Sequence, residues 1–180
     1  LNVGRPDEIS DAAMENKISL NTLVDEVCNL LSATVPTTIK IHKNDQEPSE
    51  ALVNSGQIHQ ILVNLATNAI HAMEGTGDLY FSISQELIPD PQHLKKNLPF
   101  PGLYACIRVR DTGQGISPEN CKRIFEPFFT TKKVGEGSGM GLAVAHGIVK
   151  DHLGALLVDS TVGEGTEFSL SLPLTPQDAR

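Results

Sequence analysis

Side-chain amides recur at helical spacing in the middle of the chain. Five polar residues lie three or four positions apart and so share one face of a helix: Gln57, Gln60, Asn64, Asn68 and His71. A solvent-facing stripe is usually rich in Glu, Lys and Arg, which this one lacks. An asparagine offers an oxygen that suits a hard cation and two N–H donors that suit phosphate oxygens. The stripe therefore indicates either a solvated face or contact with a phosphorylated ligand, and taken alone it decides neither.

A second polar run, Asp-Thr-Gly-Gln-Gly at residues 111–115, follows a predicted strand. These are also the ordinary residues of a turn, and taken alone a turn is the commoner explanation. The alternative is a binding loop in which Asp111 stands at the strand end and the glycines let the backbone approach a ligand. A buried carboxylate there would accept a hydrogen bond from the exocyclic amine of adenine. It would reject guanine, whose oxygen at that position cannot donate.

A glycine-rich run, Gly-Glu-Gly-Ser-Gly-Met-Gly at residues 135–141, leads directly into a predicted helix. The N–H groups at the start of that helix can bind phosphate. A dinucleotide-binding fold would require a strand directly before the loop, and residues 125–133 are not strand-like. The sequence also has no Gly-Lys-Ser/Thr of a P-loop and no HRD or DFG triplet of a protein kinase.

Hydrophobic periodicity predicts the elements that must position these residues. In chain order they are a helix from residue 20 that ends before Pro36, a strand at 38–43, a helix at 58–73, strands at 79–85 and 103–111, a short helix at 118–125, a helix at 142–154, and a closing hairpin of 155–160 and 166–173. Residues 75 and 77 are glycines that end the second helix. Four prolines between residues 86 and 102 predict a long exposed loop.

Length and charge limit the classes of function. A chain of 180 residues is enough for one domain, and its formal charge of −8 disfavours non-specific binding to nucleic acid or to anionic lipid. No stretch approaches the roughly 20 apolar residues of a membrane span, and no signal peptide opens the sequence. Three widely spaced cysteines suit a reducing compartment. These features predict a soluble, cytoplasmic domain, although a larger parent protein could still be anchored in a membrane.

Together with Gly-Glu-Gly-Thr at 163–166, these motifs occur in an order that resembles a known family. The sequence is similar to the ATP-binding catalytic domain of two-component sensor histidine kinases, in the superfamily shared with type II topoisomerases, heat-shock chaperone ATPases and mismatch-repair ATPases. Residues 64–69 look like its asparagine box, 111–115 like the first glycine box and 124–129 like the phenylalanine box. Residues 137–142 and 163–166 match its later glycine boxes. The resemblance covers about residues 19–173.

The resemblance implies an α/β two-layer sandwich, in which a mixed, mostly antiparallel sheet packs on three helices. ATP and Mg²⁺ would lie beneath a mobile lid that runs from about residue 128 to 138. The catalytic domain would occupy residues 19–176. Residues 1–18 would be a linker or a remnant of the dimerisation and acceptor helices, and 177–180 a C-terminal tail.

The resemblance also assigns roles to individual residues. Asn68 matches the magnesium ligand, Asn64 its neighbour on the phosphate side, Asp111 the adenine-reading carboxylate and Thr166 a hydroxyl that supports the base. Lys132 and Lys133 would be the cations of the lid. The implied ATP-binding set is Asn64, Asn68, His71, Ala72, Asp111, Gly113, Gly115, Ile116, Thr130, Thr131, Lys132, Gly137, Ser138, Gly139, Met140, Gly141, Leu142 and Thr166.

The implied activity is transfer of the γ-phosphoryl group of ATP to a histidine. Hydrolases of the superfamily carry a Glu one turn before the magnesium asparagine, and Asn64 stands there and cannot act as a base. None of the six histidines has the sequence context of the family's phospho-acceptor, so the chain is expected to contain no catalytic residue of its own. The fragment would be monomeric, and its partners would be the acceptor domain of its own homodimeric parent and, through it, a response regulator. The alternative is a nucleotide-gated binding module, or an ATPase of the same superfamily, without histidine transfer.

Overall fold

A computed structural model describes residues 16–45, 47–90, 98–132 and 139–174. Its elements in chain order are β1 (Asn16–Ser19), α1 (Leu20–Thr34), β2 (Ile39–Asp45), β3 (Glu50–Val53), α2 (Ser55–Met73), β4 (Gly77–Ile88), β5 (Gly102–Asp111), α3 (Pro118–Cys121), α4 (Gly141–Asp151), β6 (Ala155–Thr161) and β7 (Gly165–Pro173). None of the described helices is long and apolar enough to cross a membrane.

Five strands form the main sheet, in the order β2-β4-β5-β7-β6. Only β2 and β4 pair in parallel, and every other pairing in this sheet is antiparallel. The helices cover one face, with α2 over β4, β5 and β7, α1 against β2, and α4 against β6. The predicted two-layer α/β fold with a mixed, mostly antiparallel sheet is confirmed.

The helix periodicity produces the core between the two layers. The apolar stripe of α2 is buried, and Leu65 packs in one cluster with Phe81 and Ile107 from the sheet. The helix begins at Ser55 and is capped by Asn54, whose side-chain oxygen accepts from the N–H of Gln57 at 3.0 Å. It ends at Met73, and Glu74, with a φ of +51°, takes the left-handed capping position that was predicted for a glycine.

Two short strands were absent from the sequence prediction. β1 and β3 pair with each other in a separate two-stranded sheet, so residues 16–18, which were predicted to lie in a linker, belong to the fold. Four residues each are too few to show a period, and the partner strand lies more than 30 positions away. Residues 1–15 and 175–180 lie outside the described part of the chain.

The remaining differences concern where elements end. The third predicted helix stops at Cys121 rather than at residue 125, and the fourth stops at Asp151 rather than at residue 154. β4 continues to Ile88, inside the predicted loop. There, Ile88 and Leu98 are buried with Tyr104 on the sheet face opposite the helices, so the flanks of this loop are packed rather than exposed. Residues 91–97 lie outside the described part of the chain.

Candidate functional site

One row of side chains crosses four strands on the helix-covered face of the sheet. Asp111 at the end of β5 pairs with Leu79 on one side and with Thr166 on the other, and Thr166 pairs in turn with Ser160 of β6. Asp111 is 3% exposed and Thr166 is 4% exposed. A carboxylate and two hydroxyls therefore meet at one end of the apolar core.

Burial dominates the electrostatics of Asp111. Desolvation raises the pKa of its carboxyl above the ordinary value, and the backbone N–H groups of Gly113 and Thr166 act in the opposite direction. The N–H of Gly113 donates to Oδ1 at 2.8 Å. The carboxylate is thus fixed in orientation, and when ionised it presents only hydrogen-bond acceptors.

The loop after Asp111 is held between α2 and the β6–β7 hairpin. The N–H of Gln114 donates to the carbonyl oxygen of Ala72 at 3.0 Å, and the N–H of Gly163 donates to the carbonyl oxygen of Gln114 at 2.7 Å. Both contacts are between backbone atoms. The loop is therefore fixed by main chain on both sides.

Glycines permit these close approaches. A Cβ on Gly113 would lie 2.6 Å from the carbonyl carbon of Ala72, and one on Gly115 would lie 2.2 Å from the carbonyl oxygen of Thr161. These glycines were predicted to let the backbone approach a ligand. The structure shows that they also admit the protein's own backbone, and their part in ligand binding stays a prediction.

The polar stripe of α2 divides into two parts. Asn64 and Asn68 are half-buried, whereas Gln57, Gln60 and His71 are exposed. Asn64 donates through Nδ2 to the carbonyl oxygen of Gly141 at 3.3 Å, and Asn68 accepts through Oδ1 from Lys132 Nζ at 3.4 Å. The two asparagines therefore face the start of α4 and the residues before it, which excludes the interpretation of a purely solvated stripe for them.

The two ends of the predicted lid meet. The N–H of Phe128 donates to the carbonyl oxygen of Gly139 at 3.0 Å. Gly139 has a φ of +69°, and a Cβ there would lie 2.5 Å from the carbonyl carbon of Phe128. Thr130 Oγ1 accepts from the N–H of Lys132 at 3.0 Å. Lys133, Gly137 and Ser138, which were predicted for the lid, lie outside the described residues.

Aromatic contacts anchor the segment before the lid. The ring of Phe125 stacks on His146 of α4 with 5.0 Å between centroids, and the guanidinium of Arg123 lies 4.5 Å from the centroid of Phe129. Burial, and secondarily Lys150, lower the pKa of His146. The lowered pKa favours the neutral form of the imidazole, which packs against Phe125.

The structure brings the predicted site residues together in two groups. The first contains Ala72, Asp111, Gly113, Gly115, Ile116 and Thr166, and the second contains Asn64, Asn68, Thr130, Lys132, Gly139, Met140, Gly141 and Leu142. His71 and Thr131 are exposed, and within the described part of the chain their side chains make no hydrogen bond or ion pair. The nucleotide-binding roles of all the predicted site residues stay predictions.

Ser160 was missed by the sequence analysis. Its Oγ accepts from the N–H of Ile116 at 2.7 Å and lies 2.7 Å from Thr166 Oγ1 and 3.0 Å from the carbonyl oxygen of Gly165. The available signal was its position in β6, where it follows Leu156 and Val158 in the inward alternation. A polar residue at an inward position requires a buried partner.

No group of three or more His, Cys, Asp or Glu side chains that could hold a metal ion occurs among the described residues. Asn68 Oδ1 is an uncharged oxygen of the kind that can serve as a ligand for a hard cation.

Comparisons with known proteins identify a family model and several relatives that this chain matches. Residues 53–176 match the model of the histidine kinase-, DNA gyrase B-, and HSP90-like ATPases. The chain is 36% identical over 167 residues to sensor kinase CckA of Brucella abortus, an alignment that covers 91% of this chain and 17% of that protein. It is 34% identical over 160 residues to sensor histidine kinase ZraS of Escherichia coli K12, with 87% and 30% covered. The chain thus spans less than a third of either relative.

Solved structures show the same architecture. The catalytic domain of histidine kinase ThkA superposes with a TM-score of 0.73 at 26% identity, covering 91% of this chain and 97% of that one. Full-length ShkA in complex with AMPPNP gives a TM-score of 0.73 at 27% identity, with 92% and 32% covered. The mycobacterial sensor histidine kinase MprB shares the fold, with a TM-score of 0.73 at 22% identity and 91% and 99% covered.

Proposed function

This chain belongs to the family of histidine kinase-, DNA gyrase B- and HSP90-like ATPases, and from that membership we propose that it is the Mg-ATP-binding catalytic domain of a sensor histidine kinase. It would transfer the γ-phosphoryl group of ATP to a histidine on a dimerisation and acceptor domain outside these 180 residues. A response regulator would then receive the phosphoryl group. The named relatives at 34–36% identity are sensor kinases, which supports the proposal.

The buried carboxylate of Asp111 is the observation that carries the proposal. It lies beside the Thr166 hydroxyl at the end of the core, and two backbone N–H groups fix it. In this position it would accept a hydrogen bond from the exocyclic amine of adenine, and a base with a carbonyl there would meet only acceptors. ShkA, solved in complex with AMPPNP, shows that a similar chain accommodates an adenine nucleotide.

Asn68 would hold the magnesium ion. Its Oδ1 already accepts from the ammonium of Lys132 at 3.4 Å, so this oxygen faces a place where positive charge is accommodated. A hard cation prefers such an amide oxygen together with phosphate oxygens and water. When bound, Mg²⁺ would neutralise charge on the triphosphate.

The neighbouring groups position the nucleotide rather than activate water. Asn64 lies one turn before Asn68 and uses its Nδ2 as a donor to Gly141, and an amide cannot take a proton from water. Phosphoryl transfer depends mostly on positioning and on stabilisation of charge. A site without a general base therefore favours transfer to an incoming imidazole, which needs little activation.

Phosphotransfer in trans tests the proposal. Residues 1–180 are mixed with a separately produced dimerisation and acceptor domain from the parent protein and with γ-labelled ATP. We expect label on the acceptor domain that is lost in acid and retained in base, as a phosphohistidine requires. An acceptor domain in which the histidine is replaced by glutamine is the control. Binding of ATP without any transfer would instead support the nucleotide-gated binding module.

A further inference from the structure

We propose that Ser160 is a positioning residue that sets the direction of the Thr166 hydroxyl hydrogen, and thereby makes the adenine end of the site a surface of acceptors only. This inference rests on the proposed function, because it concerns how the site distinguishes adenine from a base with a carbonyl group.

The backbone places the three polar side chains in one row. Thr166 pairs with Ser160 of β6 on one side and with Asp111 of β5 on the other. Directly opposed residues of paired strands point to the same face of a sheet. Asp111 and Thr166 are buried, and Ser160 is half-buried. The orientation of each hydroxyl is therefore decided by its protein neighbours.

The neighbours of Ser160 assign its hydroxyl hydrogen and its lone pairs to particular partners. A serine hydroxyl has one hydrogen and two lone pairs. The N–H of Ile116 lies 2.7 Å from Oγ and can only donate, so it occupies one lone pair. The carbonyl oxygen of Gly165 lies 3.0 Å away and can only accept, and two oxygens this close need a hydrogen between them, so we assign the serine hydrogen to this contact.

The contact between the two hydroxyls then has a fixed direction. Ser160 Oγ and Thr166 Oγ1 are 2.7 Å apart, and a hydrogen must lie between them. Since the serine hydrogen is directed to Gly165, Thr166 donates and the second lone pair of Ser160 accepts. Thr166 has no other hydrogen on its oxygen, so it offers only lone pairs to a ligand.

This arrangement has a consequence for base selection. The Thr166 oxygen and the Asp111 carboxylate, side by side in the ladder, are then both acceptors. The amine of adenine can donate to such a surface, whereas the carbonyl of hypoxanthine at the same ring position cannot. Without Ser160, the Thr166 hydroxyl could rotate and donate to that carbonyl, so the penalty against hypoxanthine would fall.

A double-mutant cycle with ATP and ITP tests the inference. Affinities are measured by calorimetry for the wild type, Ser160→Ala, Thr166→Val and the double variant, with Ser169→Ala on the opposite sheet face as the matched control. We expect Ser160→Ala to lower the ATP-to-ITP affinity ratio about tenfold, the size of one lost directional hydrogen bond. Because Ser160 acts through Thr166, the double variant should show no further loss of the ratio beyond Thr166→Val. Ser160→Thr, which keeps a hydroxyl on a strand, should restore the ratio.

A merely structural serine predicts a different result. If Ser160 only held Ile116 in place, Ser160→Ala would weaken ATP and ITP equally, and an unchanged ratio or additive effects of the two substitutions would overturn the inference. A measurement made without nucleotide tests the role of Ser160 independently of the proposed function. The hydrogen-bonded Thr166 hydroxyl should give a slowly exchanging proton signal by NMR in the wild type and not in Ser160→Ala. If the wild type binds no ATP, the proposed function fails, while this signal still decides whether Ser160 orients Thr166.

Discussion

Burial and the proposed binding role have opposite effects on the protonation state of Asp111. In the proposed role, Asp111 must be ionised to accept strongly from a donor on the base, yet burial raises its pKa and so favours the protonated form in the folded domain. A group with a raised folded-state pKa contributes stability that is fully present below its unfolded pKa. That contribution is lost as the pH rises through the folded-state pKa.

Asp111→Asn should therefore remove a pH dependence of folding. We expect the free energy of unfolding of the wild type to fall relative to that of the variant as the pH rises from below the ordinary value of 3.8 through the raised pKa. Urea denaturation at a series of pH values measures this difference. Asp159→Asn, an exposed carboxyl on β6, controls for a general effect of charge. A constant difference between wild type and Asp111→Asn would contradict the assignment.

The same substitution should weaken ATP binding by more than about 1.5 kcal/mol, because a charge-assisted hydrogen bond to the base is lost. Calorimetry at neutral pH measures the loss. The variant should remain folded at this pH, so weaker binding cannot be attributed to unfolding. Equal affinity of the wild-type domain for ATP and GTP would refute the role of Asp111 in reading the base.

Asn68→Ala tests the magnesium role separately from the base. The Oδ1 atom of Asn68 faces Lys132, and Asn68 belongs to the second group of site residues, which does not include Asp111. We therefore expect the variant to lose the gain in ATP affinity that magnesium provides. Adenosine, which has no phosphates, should bind almost as before. Thr67→Ala, at an exposed neighbouring position of α2, is the control. Loss of adenosine binding by Asn68→Ala would indicate a damaged fold, and retained magnesium dependence would show the assignment to be wrong.

At the scale of elements, the site is assembled by close approach of main chain. The loop after β5 fits between the end of α2 and the β6–β7 hairpin, and the two ends of the lid are joined by the bond from Phe128 to Gly139. Side chains would keep these segments apart. Glycine is therefore required by packing at some positions and is dispensable at others.

Two glycine substitutions should have opposite effects on stability. A Cβ on Gly113 would lie 2.6 Å from the carbonyl carbon and oxygen of Ala72, which belong to a helix and cannot yield freely. Gly113→Ala should therefore destabilise the domain by about 1–3 kcal/mol. Gly147 lies in α4 with no atom within 4 Å of an added Cβ, so Gly147→Ala should stabilise by about 0.5–1 kcal/mol. Chemical denaturation checks both, and destabilisation by Gly147→Ala would contradict the packing argument.

The lid element should contribute to transfer more than to binding. Lys132 lies in the segment predicted to form the lid, and its ammonium reaches Asn68, the proposed magnesium ligand. If this lysine meets the γ-phosphate, Lys132→Ala should slow phosphotransfer more than it weakens ADP binding, because ADP lacks that group. Single-turnover transfer and calorimetry with ADP provide the comparison. An equal loss in both would assign Lys132 to general nucleotide binding.

At the scale of the whole molecule, the acceptor of the phosphoryl group is proposed to lie outside these 180 residues. It spans only part of the sensor kinases it matches. His146 in α4 and His152 directly after this helix both have partners at a ring nitrogen or a ring face. The ring of His152 bonds Ile148 through Nδ1 and Asn54 through Nε2, and the ring of His146 stacks on Phe125. These contacts link α4 to the start of α2 and to Phe125.

Residues 1–180 alone should therefore bind ATP but show negligible autophosphorylation and very slow hydrolysis. The physical reason is that transfer depends on positioning an acceptor, and no general base stands at Asn64 to activate water. Release of labelled phosphate over several hours measures hydrolysis, and Asp111→Asn, which should not bind ATP well, gives the background rate. Robust turnover by this chain would place it in the hydrolase branch of the superfamily.

Local patterns in the sequence predicted much of this protein. The 3.6-residue period of α2 and the alternation of β4, β5 and β7 appear in short windows, so the layers and the family could be predicted without coordinates. The order of the asparagine, glycine and phenylalanine motifs also placed Asn68 and Asp111 on the elements where the structure has them.

Only the tertiary structure decided how these elements meet. The pairing of β1 with β3, the contact of Asn68 with Lys132 and the approach of Gly113 to Ala72 join residues about 30–65 positions apart, so no local window contains both partners. Ser160 is likewise an ordinary serine in its own strand, and its role depends on a hydroxyl across the sheet and an amide 44 residues away. Hydrogen bonds and backbone contacts act over a few ångströms in space, and folding sets those distances.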